Sequence, residues 1–508
     1  MTPVVSFFRM SAPPTDPKYS PYADYRAHRH RPDVVSARLS SATLATLPKD
    51  VQRPNYDLRS VRIGVVHFGP GAFHRAHQAS YFDDALGSDA RWAVSAVSLK
   101  SAGLRDALAP QDGLYTVAVL DESIRHRVIG CLRECLVAAE ERERIFARLA
   151  MATTEVVTLT ITEKGYCLAA DGTLDFDHAD VQADVASPQT PTSAVGYLVE
   201  GLRRRKMIGL PPFTTISCDN LADNGGKLGR AVVALSRSRD ADLAKWIEDA
   251  AAFPRTMVDC IVPASDAELE QRVAAAIGVA DAWPVQREAF SQWVVENRFC
   301  GATPDWASLG VQVTDDVASY ERAKLRLLNG AHSTLAYVGS LKGCATVADA
   351  MRDDELAGFV ERLMREDIAP NLRLPANFGL DTYVRDILKR FRNPSMRHQL
   401  AQIAWDGSQK LPFRILATIR DALAADRDVD RLCIPIAAWF HFVRRAQRAR
   451  RALVDPLAET LLATAAECDG TAELDVPRFL GMTQVFAEDL PRNATFVAAL
   501  MRAYSTVA

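Results

Sequence analysis

The chain is predicted to pair an α/β domain, a parallel sheet wrapped in helices, with a mostly helical C-terminal domain. Three observations predict this. Its 508 residues exceed what one hydrophobic core usually supports, so two domains are expected. Between residues 61 and 220, short β-branched or apolar runs recur among helix-like segments, as when strands alternate with crossover helices. From about residue 315 onward the apolar residues fall at helical spacing and strand-like runs all but vanish.

Taken in order, residues 1–36 are expected to be a flexible tail. Val4-Val5-Ser6-Phe7-Phe8 is too short for the apolar region of a signal peptide, and residues 11–35 are rich in Pro, Tyr, His and Arg without a period. The α/β domain is placed over residues 37–310, with strands over 61–68, 92–99, 156–162 and 214–218. Residues 297–316 form the best linker, carrying Gly301, Pro304, Gly310 and a pair of aspartates, of which Asp316 can cap the following helix. The helical domain is placed over 311–508, with helices over 318–341, 355–365, 382–392, 396–404 and 412–425.

Composition excludes several functions. Net charge is −3, with 48% hydrophobic and 24% charged residues, which describes a globular protein without a basic field for nucleic acid or an anionic membrane. The basic runs Arg203 to Lys206 and Arg444 to Arg451 read as solvated helix faces. No apolar run approaches the ~20 residues of a membrane span. The nine cysteines include no CxxC pair, and Cys131 and Cys135 have no matching ligands for a zinc site. Neither a metal nor a disulfide framework is expected, so the protein is read as cytoplasmic.

The first strand runs into Gly69-Pro70-Gly71-Ala72-Phe73-His74-Arg75-Ala76-His77. A strand, a G-x-G turn and a helix can set backbone N–H groups against a pyrophosphate, but His74 stands where the third small residue usually falls. By itself the motif fits a dinucleotide site or a plain tight turn equally. His74 and His77, three apart without a Cys or carboxylate beside them, are read as packing residues. After the second strand comes Lys100-Ser101-Ala102. No acid stands there to hold ribose hydroxyls, so NAD and NADP both remain open.

The most informative stretch runs from Tyr320 to His332. At ~100° per residue, Glu321, Lys324, Asn329 and His332 fall within an arc of about 140°, shared with Leu325, Leu328 and Leu335. Polar groups among leucines need partners or a purpose. Alcohol oxidation supplies one: a desolvated Lys324 as base, an Asn amide for the developing alkoxide, His332 to orient the oxygen, and Glu321 to pass the proton to solvent. Spacing alone more often means an ordinary amphipathic helix with a surface lysine.

Seven motifs occur in one order: the Gly69 to His77 turn, Gln111-Asp112-Gly113-Leu114-Tyr115-Thr116, Thr162-Glu163-Lys164-Gly165-Tyr166, Ser217-Cys218-Asp219-Asn220-Leu221, Met257-Val258-Asp259, the Lys324 to His332 stretch, and Asp406-Gly407-Ser408-Gln409-Lys410-Leu411-Pro412. From about Leu39 onward the chain resembles the polyol-specific long-chain dehydrogenase/reductase family, whose members include mannitol 2-dehydrogenase, fructuronate reductase (mannonate oxidoreductase) and tagaturonate reductase. The resemblance implies a Rossmann-type domain followed by a helical domain, with the active site between them. It implies Lys324 as acid/base, Asn220 and Asn329 as alkoxide-stabilising amides, and Glu321 as proton relay. His332, Asp259 and Lys410 fall at substrate-contacting positions, and Gly69, Gly71, Phe73 and His74 at the NAD or NADP site. The family's pattern has Arg where Cys260 and Gln402 stand here, which leaves the substrate open.

The expected activity is metal-independent interconversion of a hexitol or hexonate and its ketose or ketouronate, with D-mannitol/D-fructose and D-mannonate/D-fructuronate as leading pairs. A monomer or small homo-oligomer is expected. The alternatives are a non-catalytic sugar or nucleotide sensor on the same scaffold and a hydroxyacid-type Rossmann dehydrogenase.

Overall fold

Among the described residues, eleven strands organise the chain up to residue 314: β1 (Ile63–Phe68), β2 (Ala93–Ser98), β3 (Tyr115–Leu120), β4 (Arg125–Ile129), β5 (Leu132–Val137), β6 (Val156–Leu159), β7 (Thr214–Ser217), β8 (Thr256–Asp259), β9 (Val285–Glu288), β10 (Gln292–Glu296) and β11 (Gln312–Thr314). The computed structural model describes residues 37–375 and 378–507. The tail expected over residues 1–36 lies outside them.

Five strands form a parallel sheet in the order β5-β2-β1-β6-β7. β6 and β7 are buried throughout and β1 and β2 nearly so, which is why they read as unbroken apolar runs. Apolar clusters cover both faces of the sheet. From β1 the chain winds first toward β2 and then, on the other side, toward β6. The carboxyl ends of β1 and β6 therefore flank the crevice where such sheets bind ligands. The predicted Rossmann-type domain is present.

Two small sheets, β4-β3-β9 and β11-β10-β8, are additions that the sequence did not predict, and β5 was not predicted either. β4 reads Arg-His-Arg-Val-Ile and β9 Val-Gln-Arg-Glu, too short and too polar to stand out as strands.

The second half is helical, as predicted, around one continuous apolar core from Ala323 to Tyr504. Asp316 caps its first helix by accepting from the Ser319 N–H at 3.1 Å. That helix, residues 317–341, is interrupted by π turns at Lys324–Leu328 and Leu335–Gly339. Met257, Val294 and Val317 pack together, joining its start to the β11-β10-β8 sheet. The helix expected over 396–404 is reduced to Leu400–Ile403. Pro394 disfavours helix before it, and Asn393 and Ser395 instead donate to the carbonyls of Leu120 and Asp121 in the first domain. Among the described residues no helix is long and apolar enough to cross a membrane.

Candidate active site

The site begins where β1 ends. Gly69 has φ +85°, and a Cβ there would lie 2.2 Å from the Thr160 carbonyl oxygen, so only glycine lets the turn pass over the end of β6. The Thr160 hydroxyl locks it by donating to the Gly69 carbonyl at 2.7 Å. At Gly71 a Cβ would meet nothing closer than Gly69 O at 3.9 Å, leaving an open backbone surface where a pyrophosphate can approach. Behind the turn, His74 stacks on His67 at 3.4 Å. Both are fully buried, and burial drives His74 well below the usual histidine range and His67 down to about 3. His74 thus supports the turn as a neutral ring rather than facing the cleft. Phe73 stacks on His77, whose Nε2 meets the Gln292 carbonyl at 3.0 Å.

The next sheet ends are tied together by Asp219. Its carboxylate accepts from the Ile161 and Thr162 N–H groups, each at 2.9 Å, and from the Tyr166 hydroxyl at 2.6 Å. This joins the Thr162 to Tyr166 motif to the Ser217 to Leu221 motif and presents the exposed Asn220 at the cleft.

Lys324 reaches across from the helical domain. Its ammonium donates to Asn220 Oδ1 at 3.0 Å and to the Val258 carbonyl at 2.7 Å. A strip of the residue stays accessible, but protein packed around the rest desolvates it and lowers its pKa; Asp259 opposes that shift and Arg390 adds to it. The π turn starts at Lys324, with the Asn329 N–H donating to the Lys324 carbonyl five residues back. In a regular α-helix, at ~100° per residue, these two side chains would stand about 140° apart. A turn closed five residues on rotates less per residue and narrows that angle. Glu321, one turn earlier, is half-buried, and burial raises its carboxyl pKa.

Asp259 closes β8. It caps no helix; instead both its oxygens accept from Arg390 at 2.8 and 2.9 Å. Arg390 also holds Glu288 through two 2.8 Å bonds and covers the Phe290 ring at 4.2 Å. Burial pushes Glu288 up. Burial also works to raise Asp259, but Arg390 overrides it and Asp259 is lowered. This arginine, which sequence reasoning missed, ties the Leu380–Arg392 helix to both small sheets. The available signal was a cation on the apolar face shared by Tyr383 and Ile387.

His332 is buried between Phe391, at 4.6 Å, and His398, at 5.2 Å. Its Nε2 has no hydrogen-bond partner among the described residues, and burial holds the ring well below the usual range. Lys410 donates to the Trp405 carbonyl at 2.6 Å, with Asp406 at 3.8 Å. The tight turn before it is dictated by packing: a Cβ on Gly407 would meet Tyr337 Oη at 2.5 Å and Trp439 Nε1 at 2.6 Å. Arg414, a second missed residue, donates to the Asn329 carbonyl at 3.4 Å and the Ser333 hydroxyl at 3.0 Å. Gln402 is exposed, and so are Lys100 and Ser101 beyond β2. Cys167, His178 and Asp180 converge to within 4.8 Å, but the His178 Nδ1 already accepts from the Asp180 N–H.

Comparison with known proteins places this architecture. Residues 63–308 match the family model of the mannitol dehydrogenase Rossmann domain, and residues 316–508 that of the mannitol dehydrogenase C-terminal domain. D-mannonate oxidoreductase of Escherichia coli (strain K12) is 41% identical over 89% of this chain and 95% of its own length. Polyol:NADP oxidoreductase of Gluconobacter oxydans (strain 621H) is 38% identical over 80% of this chain and 85% of its own. Among solved structures, Pseudomonas fluorescens mannitol 2-dehydrogenase, in ternary complex with NAD and D-mannitol, superposes with a TM-score of 0.76. It is 34% identical, covering 92% of this chain and 96% of that one.

Proposed function

Because the chain belongs to the mannitol dehydrogenase family, we propose that it is a metal-independent NAD(P)-dependent oxidoreductase of the cytoplasm. Its reaction interconverts a secondary alcohol of a hexitol or hexonate and the ketose or ketouronate. The leading pairs are D-mannitol/D-fructose and D-mannonate/D-fructuronate, in keeping with the substrates named for the relatives.

One observation carries the reading. Lys324 is a desolvated amine whose acceptors are a neutral amide oxygen and a backbone carbonyl, so no carboxylate bonded to it holds its proton. A lysine so placed can trade a proton near neutral pH. The open turn at Gly71 suits a dinucleotide, and bound NAD(P)⁺ would accept the hydride from the alcohol carbon. In oxidation the hydroxyl proton passes to neutral Lys324, leaving a ketone, the reduced cofactor and one proton. Asn220 presents its Oδ1 to Lys324, which leaves its amide N–H groups to donate to the reacting oxygen. Asn329 donates from the other side, and Glu321 relays the proton to solvent. A lysine and two amides then do the electrostatic work that a metal does elsewhere. The nine unpaired thiols suit a reducing compartment.

The test follows NADH and NADPH oxidation with fructose, fructuronate and tagaturonate, with and without a chelator. Replacing Lys324 by Met should cut kcat/KM by ~10²–10⁴-fold and remove the Lys324-dependent limb of the pH profile. Turnover abolished by the chelator, or unaffected by Lys324→Met, would defeat the mechanism.

A further inference from the structure

The helical domain contributes two arginines beside Lys324, and they are treated differently. Arg390 is neutralised by two buried acids. Arg414 is largely buried too, yet among the described residues its guanidinium is held only by the Asn329 carbonyl and the Ser333 hydroxyl, and no carboxylate there pairs with it. Burial lowers its pKa to about 10. Lys410 precedes it by one turn on the continuous helical run from Gly407 to Ala424. The charge on Arg414 works against protonation of Lys324, His332 and Lys410 alike, which sets it among all three.

None of the acids nearby neutralises Arg414. Asp259 and Glu288 belong to Arg390. Glu321 is tuned by Lys324, Asp223 and Lys227. Asp406 stands 3.8 Å from Lys410, and Asp455, whose charge also favours the Lys410 ammonium, accepts from the Ser408 N–H and hydroxyl. A mostly buried cation without a counter-ion is costly, and a ligand carboxylate relieves that cost most, because a guanidinium fork matches it with two parallel bonds. A neutral polyol would leave the charge unmatched.

We propose that Arg414, assisted by Lys410, forms a carboxylate-binding subsite beside Lys324, so that this enzyme selects an ionised sugar acid over a neutral polyol. The proposal rests on the dehydrogenase reading above. The carboxylate sits at the Arg414 end of the substrate, away from the carbon that loses hydride at Lys324. Arg414 thus acts on binding and selectivity.

The experiment measures kcat and KM for D-fructuronate and D-fructose with the reduced cofactor, in the wild type and in Arg414→Met, Arg414→Lys and Lys410→Met. The wild type should prefer the ketouronate in kcat/KM. Arg414→Met should lower kcat/KM for the ketouronate by ~10–150-fold, the range for hydrogen bonds to a charged group, chiefly through KM, and collapse the preference. Arg414→Lys should recover part of it, and Lys410→Met should erode it separately, which a general loss of folding would not do. A wild type that prefers fructose, or an Arg414→Met variant equally impaired with both substrates, would overturn the subsite while leaving the dehydrogenase reading intact. No turnover of either substrate would overturn both.

Discussion

Replacing Arg390 by Met should unlatch the two domains. Arg390 is 9% exposed, and its partners Asp259 and Glu288 are 4% and 2% exposed, so four bonds of 2.8–2.9 Å are screened little by water. Deleting the cation strands two buried carboxylates side by side, and breaking a buried pair in this way costs about 3–5 kcal/mol. At ~2–4 °C per kcal/mol for a domain of 150–250 residues, the thermal transition should fall by roughly 10 °C. The sign of its pH dependence is fixed. Without Arg390 both carboxyls are raised above their unfolded values, so the folded state binds more protons than the unfolded one. The variant therefore loses stability as pH rises from the unfolded carboxyl values through the raised folded ones and regains ground on acidification. Arg390 also lowers the pKa of Lys324, and Asp259 raises it. Under the proposed mechanism alcohol oxidation draws on neutral Lys324, so with the cation gone and both acids left its pH midpoint should move upward. Scanning calorimetry between pH 5 and 8 and a pH series of kcat/KM read both effects. The triple neutral replacement Arg390→Met, Asp259→Asn, Glu288→Gln should recover most of the stability. A transition within about 2 °C of wild type, or a deficit that deepens on acidification, would refute the reasoning.

Three further outcomes test the site. Replacing Asn220 or Asn329 by Ala should each lower kcat by ~10²–10³-fold; steady-state kinetics showing a change confined to KM would remove the amides from alkoxide stabilisation. Gly69→Ala should destabilise the fold, its Cβ falling 2.2 Å from Thr160 O, whereas Gly71→Ala, with 3.9 Å of clearance, should fold normally and raise the cofactor KM; titration with NADH and NADPH separates the two. His67 and His77, lowered by burial to about 3, bind fewer protons folded than unfolded between about pH 6.5 and 3, so stability should be lost as pH falls through that window by up to ~1.4 kcal/mol per pH unit for each. Ring-proton NMR that finds either histidine charged at pH 5 would contradict it.

The fold was legible where burial is two-sided. β1, β2, β6 and β7 announce themselves because parallel strands sheathed on both faces are apolar residue after residue. β11, with its two exposed residues Gln312 and Val313, carries no such signal, since its pairing comes from β10 rather than from its own side chains. The candidate site was nominated by its residue types, whereas its geometry was not legible. Regular helical periodicity sets Lys324 and Asn329 at opposite edges of one face; the π turn that narrows the angle between them is a hydrogen-bond choice written in no local pattern. Arg390 and Arg414 escaped for a related reason. Each is a single cation in an amphipathic helix, where a solvated lysine or arginine is the common case. What separates them is position: Arg390 lies seven residues after Tyr383 and three after Ile387, on the face those buried residues define, and Arg414 follows Lys410 by four, one helical turn. A cation on the apolar face must find a counter-charge. Arg390 finds two in the protein. Arg414 finds none among the described residues, and that difference between two like residues points from the fold to the substrate.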